Sequence, residues 1–332
     1  MNNIFTKICS FVQITMLLLL FSTKTNCFHT TGHMVVARIA EIELEGTRML
    51  QQMMNILAIV SPYTKEKDHP FVESAPYPDD IKYVGVKSMN GWHFHDNYVN
   101  GKRALTKKEM QEAGLSDAAE NIVWATNEAK TVLRNKNLSL VDDRLNKSIY
   151  LRLLIHFYGD LHQPLHNVSI VNENFPKGDE GGNKFVIDMP GARDLHTYWD
   201  QCLKKYSDIH VPLTKAKFDK IDYIAKSVMK TFPRTSKHIK ERLNITSVKE
   251  ISQESIKLAI DYVYNGIKEG EAPSEEYIER GQNMIDEQLA VAGYRLTDLF
   301  KTLFADESVL ENHVKQEKKR AKILKSVEVD LE

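Results

Sequence analysis

Histidine and aspartate stand four residues apart twice in this chain, in His156-Phe-Tyr-Gly-Asp160 and in His196-Thr-Tyr-Trp-Asp200. On a helix that spacing puts imidazole and carboxylate on one face, within reach of a single ion. Both segments are therefore expected to be helical. His166 comes ten residues after His156 and just past Pro164. The proline should end the helix, so that His166 reaches the same pocket from the turn. His33, Asp79 in Pro78-Asp79-Asp80 and His93 in Trp92-His93-Phe94 complete the candidate set.

Taken singly, a buried histidine is more often a hydrogen-bonded core residue than a ligand. Two His-x-x-x-Asp pairs with three further histidines in one chain are harder to explain that way, and neutral imidazole with carboxylate is the donor set that suits zinc. His29, His69, His210, His238 and His313 are assigned to surface or packing roles. His95 and His162 adjoin the set and are open to either role.

Apolar residues recur at helical spacing elsewhere: Val35, Ile39 and Ile42; Ala118, Ile122, Ala125, Ala129 and Val132; Ile149, Leu153 and Phe157; Ile256, Ile260, Val263 and Ile267; and Ile278, Ile285, Leu289, Ala292, Leu296 and Leu299. The pattern predicts an all-α protein whose last helix covers 275–304. Ser116, Asp117 and Glu120 read as the start of the second of these helices. Between 61 and 112 and between 167 and 195 Pro, Gly and Asn accumulate and periodicity fades, which predicts long loops of functional interest.

Lys7, the apolar run Phe11–Phe21 and the small polar stretch Ser22–Cys27 have the layout of a secretory signal peptide. That predicts residues 1–27 as a leader, one catalytic domain over 28–305, and a charge-rich tail over 306–332 containing Lys315, Lys318, Lys319, Arg320 and Lys322. No later stretch approaches the ~20 apolar residues of a membrane span. A secreted product, or one held in the lumen of the secretory or lysosomal pathway, is expected. Of the three cysteines, Cys9 and Cys27 would leave with the leader, so that Cys202 alone remains. A secreted chain without a disulfide framework needs another staple, and bound metal is one of the few available. Asn137, Asn146, Asn167 and Asn244 stand in Asn-x-Ser/Thr triplets compatible with that route. The net charge of −1 excludes a strongly basic face for gripping duplex nucleic acid.

The segments Phe28-His-Thr-Thr-Gly-His33, Pro78-Asp-Asp-Ile-Lys82, Trp92-His-Phe94, His156 through His166, Gly181-Gly-Asn183, Leu195 through Asp200 and Ala292-Gly-Tyr-Arg-Leu296 together resemble the S1/P1 nuclease family of zinc-dependent single-strand nucleases and 3′-nucleotidases. The resemblance spans roughly 28 to 300 and implies one compact helical domain around a trinuclear zinc cluster. Carried onto these positions, it implies one zinc on Asp79, His93, His156 and Asp160. It implies a second on Asp160 as a bridge, His33, and the amino group and carbonyl of Phe28 as mature first residue, and a third on His166, His196 and Asp200. The implied reaction is hydrolysis of the P–O3′ bond of single-stranded DNA or RNA, or of a 3′-nucleotide, by a monomer that leaves 5′-phosphate products. A close zinc pair would lower the pKa of bound water and clamp the phosphoryl centre. Asp79, Lys82 and Asp160 are the implied catalytic residues. Phe94 would stack on a base and Asp96 bind its edge, though core packing would explain Phe94 as well.

Three departures stand out. Phe28 replaces the family's usual Trp, Lys82 keeps the charge of the usual Arg but loses its bidentate fork, and the processed chain has no internal disulfide. The alternatives are a zinc-dependent phospholipase C on the same fold and a zinc-binding protein without catalysis. Phe94 followed by Asp96, the Gly181-Gly182-Asn183 turn and the Asn-x-Ser/Thr triplets favour the nuclease over the lipase, and Asp79 with Lys82 beside the metals argues against the binder.

Overall fold

A helix that is apolar on all sides has to lie inside the protein. The first described helix, α1 (Thr30–Leu44), comes close to this: Met34, Val35, Val36, Ala37, Ile39 and Ala40 are fully buried, and only Arg38, Glu41 and Glu43 bring charge to its partly exposed side. The computed structural model describes residues 30–135 and 141–304, so the expected leader, Phe28 and the tail from 306 lie outside the described residues. After α1 come α2 (Arg48–Leu57), α3 (Pro70–Glu73), α4 (Tyr77–Tyr83), α5 (Lys107–Glu112), α6 (Ile122–Arg134) and α7 (Val141–His162). Then follow α8 (Leu195–Asp200), α9 (Lys215–Thr231), α10 (Lys237–Leu243), α11 (Val248–Leu258) and α12 (Glu275–Leu303). Among the described residues no helix is long and apolar enough to cross a membrane.

The core forms where α1 meets α12, α9, α7 and α3, and where α7 meets α6, α2, α11 and α12. Gly293 makes the α1–α12 contact possible, because a Cβ there would stand 2.5 Å from Ile39 Cγ2. As expected, α7 stops ahead of Pro164, which opens a 3-10 turn over Pro164–Asn167. The carbonyls at its end, which have no helical partner, are taken by side chains from three places. Ser255 Oγ and Asn167 Nδ2 donate to Leu161 O at 2.6 and 3.1 Å, and Gln288 Nε2 donates to His162 O at 2.6 Å. The turn leading to His166 is thereby anchored on all sides.

The fold departs from the sequence reading in several places. The stretch 61–112 is not one loop: it holds 3-10 turns at Ser61–Tyr63 and Asn90–His93, the helices α3, α4 and α5, and strands β1 (Tyr98–Asn100) and β2 (Arg103–Ala104). The stretch 167–195 carries β3 (Ser169–Ile170), β4 (Val186–Met189) and β5 (Ala192–Asp194). β1 pairs antiparallel with β2 and parallel with β3, and β4 pairs antiparallel with β5. Elements this short show too few turns or alternations to register as periodicity. The helix expected from Ala118 begins at Ile122, because Asn121, and not Ser116, caps it by accepting from Val123 N and Trp124 N. The run through Ile267 ends earlier, in a π-helical turn over Ala259–Val263. Asn167, one of the Asn-x-Ser/Thr sites, is fully buried with its amide donating to Leu161 O and Gln163 O, and cannot carry a glycan in this fold. Asn137 lies outside the described residues, whereas Asn146 and Asn244 are exposed. Cys202 is a buried free thiol.

Candidate metal centre

Six separate elements bring the candidate ligands together. His33 comes from the first turn of α1, Asp79 from the first turn of α4 and His93 from the end of the Asn90–His93 turn. His156 and Asp160 come from α7, His166 from the Pro164–Asn167 turn, and His196 and Asp200 from α8. Three groups result whose ligating atoms lie within 4.8 Å of one another: His33, His156 and Asp160; Asp79, His93 and His156; and His166, His196 and Asp200. Phe28 lies outside the described residues. Asp160 is the hub, with Oδ2 3.0 Å from His93 Nδ1 and 3.1 Å from His156 Nε2, and Oδ1 3.1 Å from His166 Nδ1 and 3.3 Å from His33 Nε2. His166 reaches the other way through Nε2, 3.2 Å from Asp200 Oδ1. Gly159 is what lets α1 this close to α7: a Cβ there would stand 2.5 Å from His33 Nδ1, and the His33 ring stacks on His156 at 3.7 Å between centroids.

Backbone carbonyls set the ring orientations. His156 Nδ1 lies 2.8 Å from Ala75 O and His196 Nδ1 2.8 Å from Gly181 O. With the hydrogen on Nδ1 each ring turns the Nε2 lone pair toward the carboxylates, the arrangement second partners impose on metal-binding histidines. Gln163 Nε2 donates to Asp200 Oδ1 at 2.7 Å and orients that carboxylate. Asp160 Oδ1, His166 Nδ1 and Asp200 Oδ2 are buried and make no hydrogen bond among the described residues. Buried polar atoms of that kind call for a further partner, and nitrogen and oxygen donors converging in threes fit a divalent cation.

Charge is concentrated here. Burial alone would raise Asp79, but His156, Lys82 and His93 hold its pKa at about 2. Against burial, Asp160 and Asp200 push His166 up to about 10. Burial lowers His93 to about 4 despite its contact with Asp160. Protons and cations thus compete for the same lone pairs, which makes cation affinity pH-dependent. Lys82 Nζ donates to Asp79 Oδ1 at 2.7 Å from the last turn of α4.

Beside the groups, Phe94 is 40% exposed, which a core residue would not be. Asp96 is half-buried, and burial together with Glu180 and Asp179 raises its pKa to about 6. The two ambiguous histidines turn away from the cluster. His95 Nε2 pairs with Asp117 at 2.7 Å, and His162 lies between Tyr158 O at 2.6 Å and Arg295 Nη1 at 2.9 Å. Sequence reasoning missed the parts played by Ala75, Gly159, Gly181 and Gln163. A carbonyl leaves no mark on residue type, but glycine inside the His156–Asp160 helix turn was a visible sign of close approach.

The S1/P1 Nuclease family profile matches residues 28–305. Endonuclease 1 of Arabidopsis thaliana is 29% identical over 251 residues, which cover 70% of this chain and 75% of that protein. Endonuclease 2 of the same plant is 23% identical over 302 residues, covering 88% and 95%, and Endonuclease 4 is 23% identical over 306 residues, covering 85% and 90%. With the profile running from residue 28 to residue 305 and enclosing every side chain that converges on the centre, the chain belongs to the S1/P1 nuclease family.

Proposed function

We propose that this nuclease is a secreted, monomeric, zinc-dependent enzyme that cleaves single-stranded DNA and RNA to 5′-phosphate products and also removes the phosphate of 3′-nucleotides. The observation that carries the reading is the convergence of five imidazoles and three carboxylates in three groups next to the half-exposed ring of Phe94. The endonuclease names of the plant relatives support it. Three Zn²⁺ would be held by Asp79, His93, His156 and Asp160; by His33, Asp160 and the N-terminal Phe28; and by His166, His196 and Asp200. When bound, such ions supply Lewis acidity toward the phosphoryl oxygens and a hydroxide at neutral pH.

The chain's own groups do the rest. Lys82 joins His156 in keeping Asp79 ionised and offers its ammonium to the phosphoryl anion. Phe94 gives a base a face to stack on, and Asp96 a hydrogen-bonding partner for its edge. A buried cluster is reached only by a strand flexible enough to splay a base, which favours single strands over duplex. The test is product analysis on a short single-stranded oligonucleotide with and without a chelator. Chelator-sensitive release of 5′-phosphate fragments is expected. Cleavage that survives chelation, 3′-phosphate ends, or activity confined to phospholipid would overturn the reading.

A further inference from the structure

The turn 178–182 lies beside the centre without contributing a ligand side chain. Gly178, Glu180, Gly181 and Gly182 have φ of 85°, 54°, 61° and 85°. Glu180 occupies that left-handed region at a cost of about 1 kcal/mol. Such a backbone persists only when its surroundings hold it. Asp179, fully buried, supplies the hold. Its Oδ1 accepts the Ile170 N–H at 2.8 Å, its Oδ2 accepts the Tyr264 hydroxyl at 2.6 Å, and the backbone N–H of Asp179 donates to Ile170 O at 3.0 Å. Tyr264 is delivered by the π-helical turn Ala259–Val263, closed by its N–H donating to Ala259 O at 3.0 Å. Turns of this kind are frequent at functional sites.

What the turn presents to the centre is the Gly181 carbonyl, the acceptor for His196 Nδ1. The position has no room for a side chain, since a Cβ would stand 2.3 Å from Leu165 O. His196 Nε2 is left facing Asp200 Oδ2 at 3.2 Å. We infer that Asp179 and Tyr264 are positioning residues for His196: the buried carboxylate and the hydroxyl upon it lock the left-handed turn, and the turn's carbonyl selects the His196 tautomer and ring orientation needed by a cation in the His166, His196 and Asp200 group. The inference rests on the metal-binding role proposed above for that group.

Tyr264→Phe removes one oxygen and keeps the ring against Phe185. Zinc-loaded full-length protein is challenged with graded chelator, the zinc equivalents retained are counted, and the His196 ring nitrogens are followed by NMR. In the variant one equivalent should leave at a chelator concentration 10–100-fold lower than in the parent, the others leaving as before. The His196 signals should move from a single Nδ1–H tautomer toward a mixture, and kcat should fall with KM nearly unchanged. Asp179→Asn should do the same more strongly, and if it does not fold, Tyr264→Phe carries the test. Tyr294→Phe, which loses a hydroxyl bond to Phe232 O on another face of the fold, should change neither zinc retention nor the His196 signals. If Tyr264→Phe releases all zinc as the parent does and keeps the His196 tautomer, the inference is wrong. A parent protein that holds zinc and the single tautomer but does not cut nucleic acid would sink the proposed function and leave this inference standing.

Discussion

Asp160 faces four imidazoles across 3.0 to 3.3 Å, which makes it the residue on which the centre most depends. In Asp160→Asn one lone-pair-bearing oxygen becomes an N–H donor aimed at ring nitrogens, and the charge is lost. Activity should fall by at least about 100-fold and at least one equivalent of metal should be missing on elemental analysis. A variant with full metal content and normal turnover would remove the hub role. Lys82 separates charge from geometry. Lys82→Arg should preserve or raise kcat, because a planar fork suits a phosphoryl anion better than a point charge. Lys82→Ala should lower kcat by about 100-fold and change KM less. A Lys82→Ala enzyme with parental steady-state kinetics would make the residue a surface charge.

Between elements, the tightest demand is at the crossing of α1 and α7. Gly159→Ala would drive a methyl into the His33 ring, so α1 or the ring must shift. Overpacking of this kind costs on the order of 1–3 kcal/mol, and we expect a lower Tm together with weaker retention of the metal proposed for the His33 group. A Tm and metal content equal to the parent's would show that the crossing is slack. A second junction ties α7 to α10, α11 and α12: Arg295 donates to His162 Nε2 at 2.9 Å, to Glu254 Oε2 at 2.7 Å and to Arg242 O at 2.7 Å. Burial, then the neighbouring Arg295, lowers His162 to about 3, whereas an unfolded histidine titrates near 6.5. The unfolded chain therefore binds a proton that the fold refuses between those values. Stability from this group is complete above about pH 6.5 and is lost toward pH 3, with a limiting slope of about 1.4 kcal/mol per pH unit. His162→Gln, which can still donate and accept, should flatten the stability profile between pH 6.5 and 5. An unchanged difference between parent and variant across that range would rule the junction out as an acid-sensitive point.

For the molecule as a whole, no disulfide links the described residues, and three carboxylates lie buried among histidines in one cluster. The cations proposed for these groups would then be part of the stability, not only of the chemistry. Stripping the metal should lower Tm by on the order of 10 °C, since uncompensated buried charge costs about 3–5 kcal/mol and each kcal/mol moves a chain of this size by about 2–4 °C. A Tm insensitive to chelation would mean that the apolar core carries the fold alone. The proposed N-terminal ligand would add a dependence on processing. If the amino group of Phe28 is a ligand, one extra residue turns it into an amide without a lone pair, and protein beginning at Cys27 should hold less zinc and cut more slowly than protein beginning at Phe28. Equal zinc and equal rates would discard Phe28 as a ligand.

The helix period decided part of this in advance. Four-residue spacing put His156 with Asp160 and His196 with Asp200 on shared faces, Pro164 ended α7, and apolar repeats marked α1, α7 and α12, because these depend only on residues near in the chain. The sequence reading left His162 open, and the structure turns it away, as a place two residues past Asp160, about 200° around a helix, requires. The short elements between 61 and 112 were not, because β1 pairs with β3 some 70 residues on and such elements exist only through distant partners. The stacking of His33 on His156, the convergence of α4, α7 and α8, and the choice of tautomer by the carbonyls of Ala75 and Gly181 belong to the tertiary structure alone. A carbonyl is the same in every residue, so only its placement in space can give it a role.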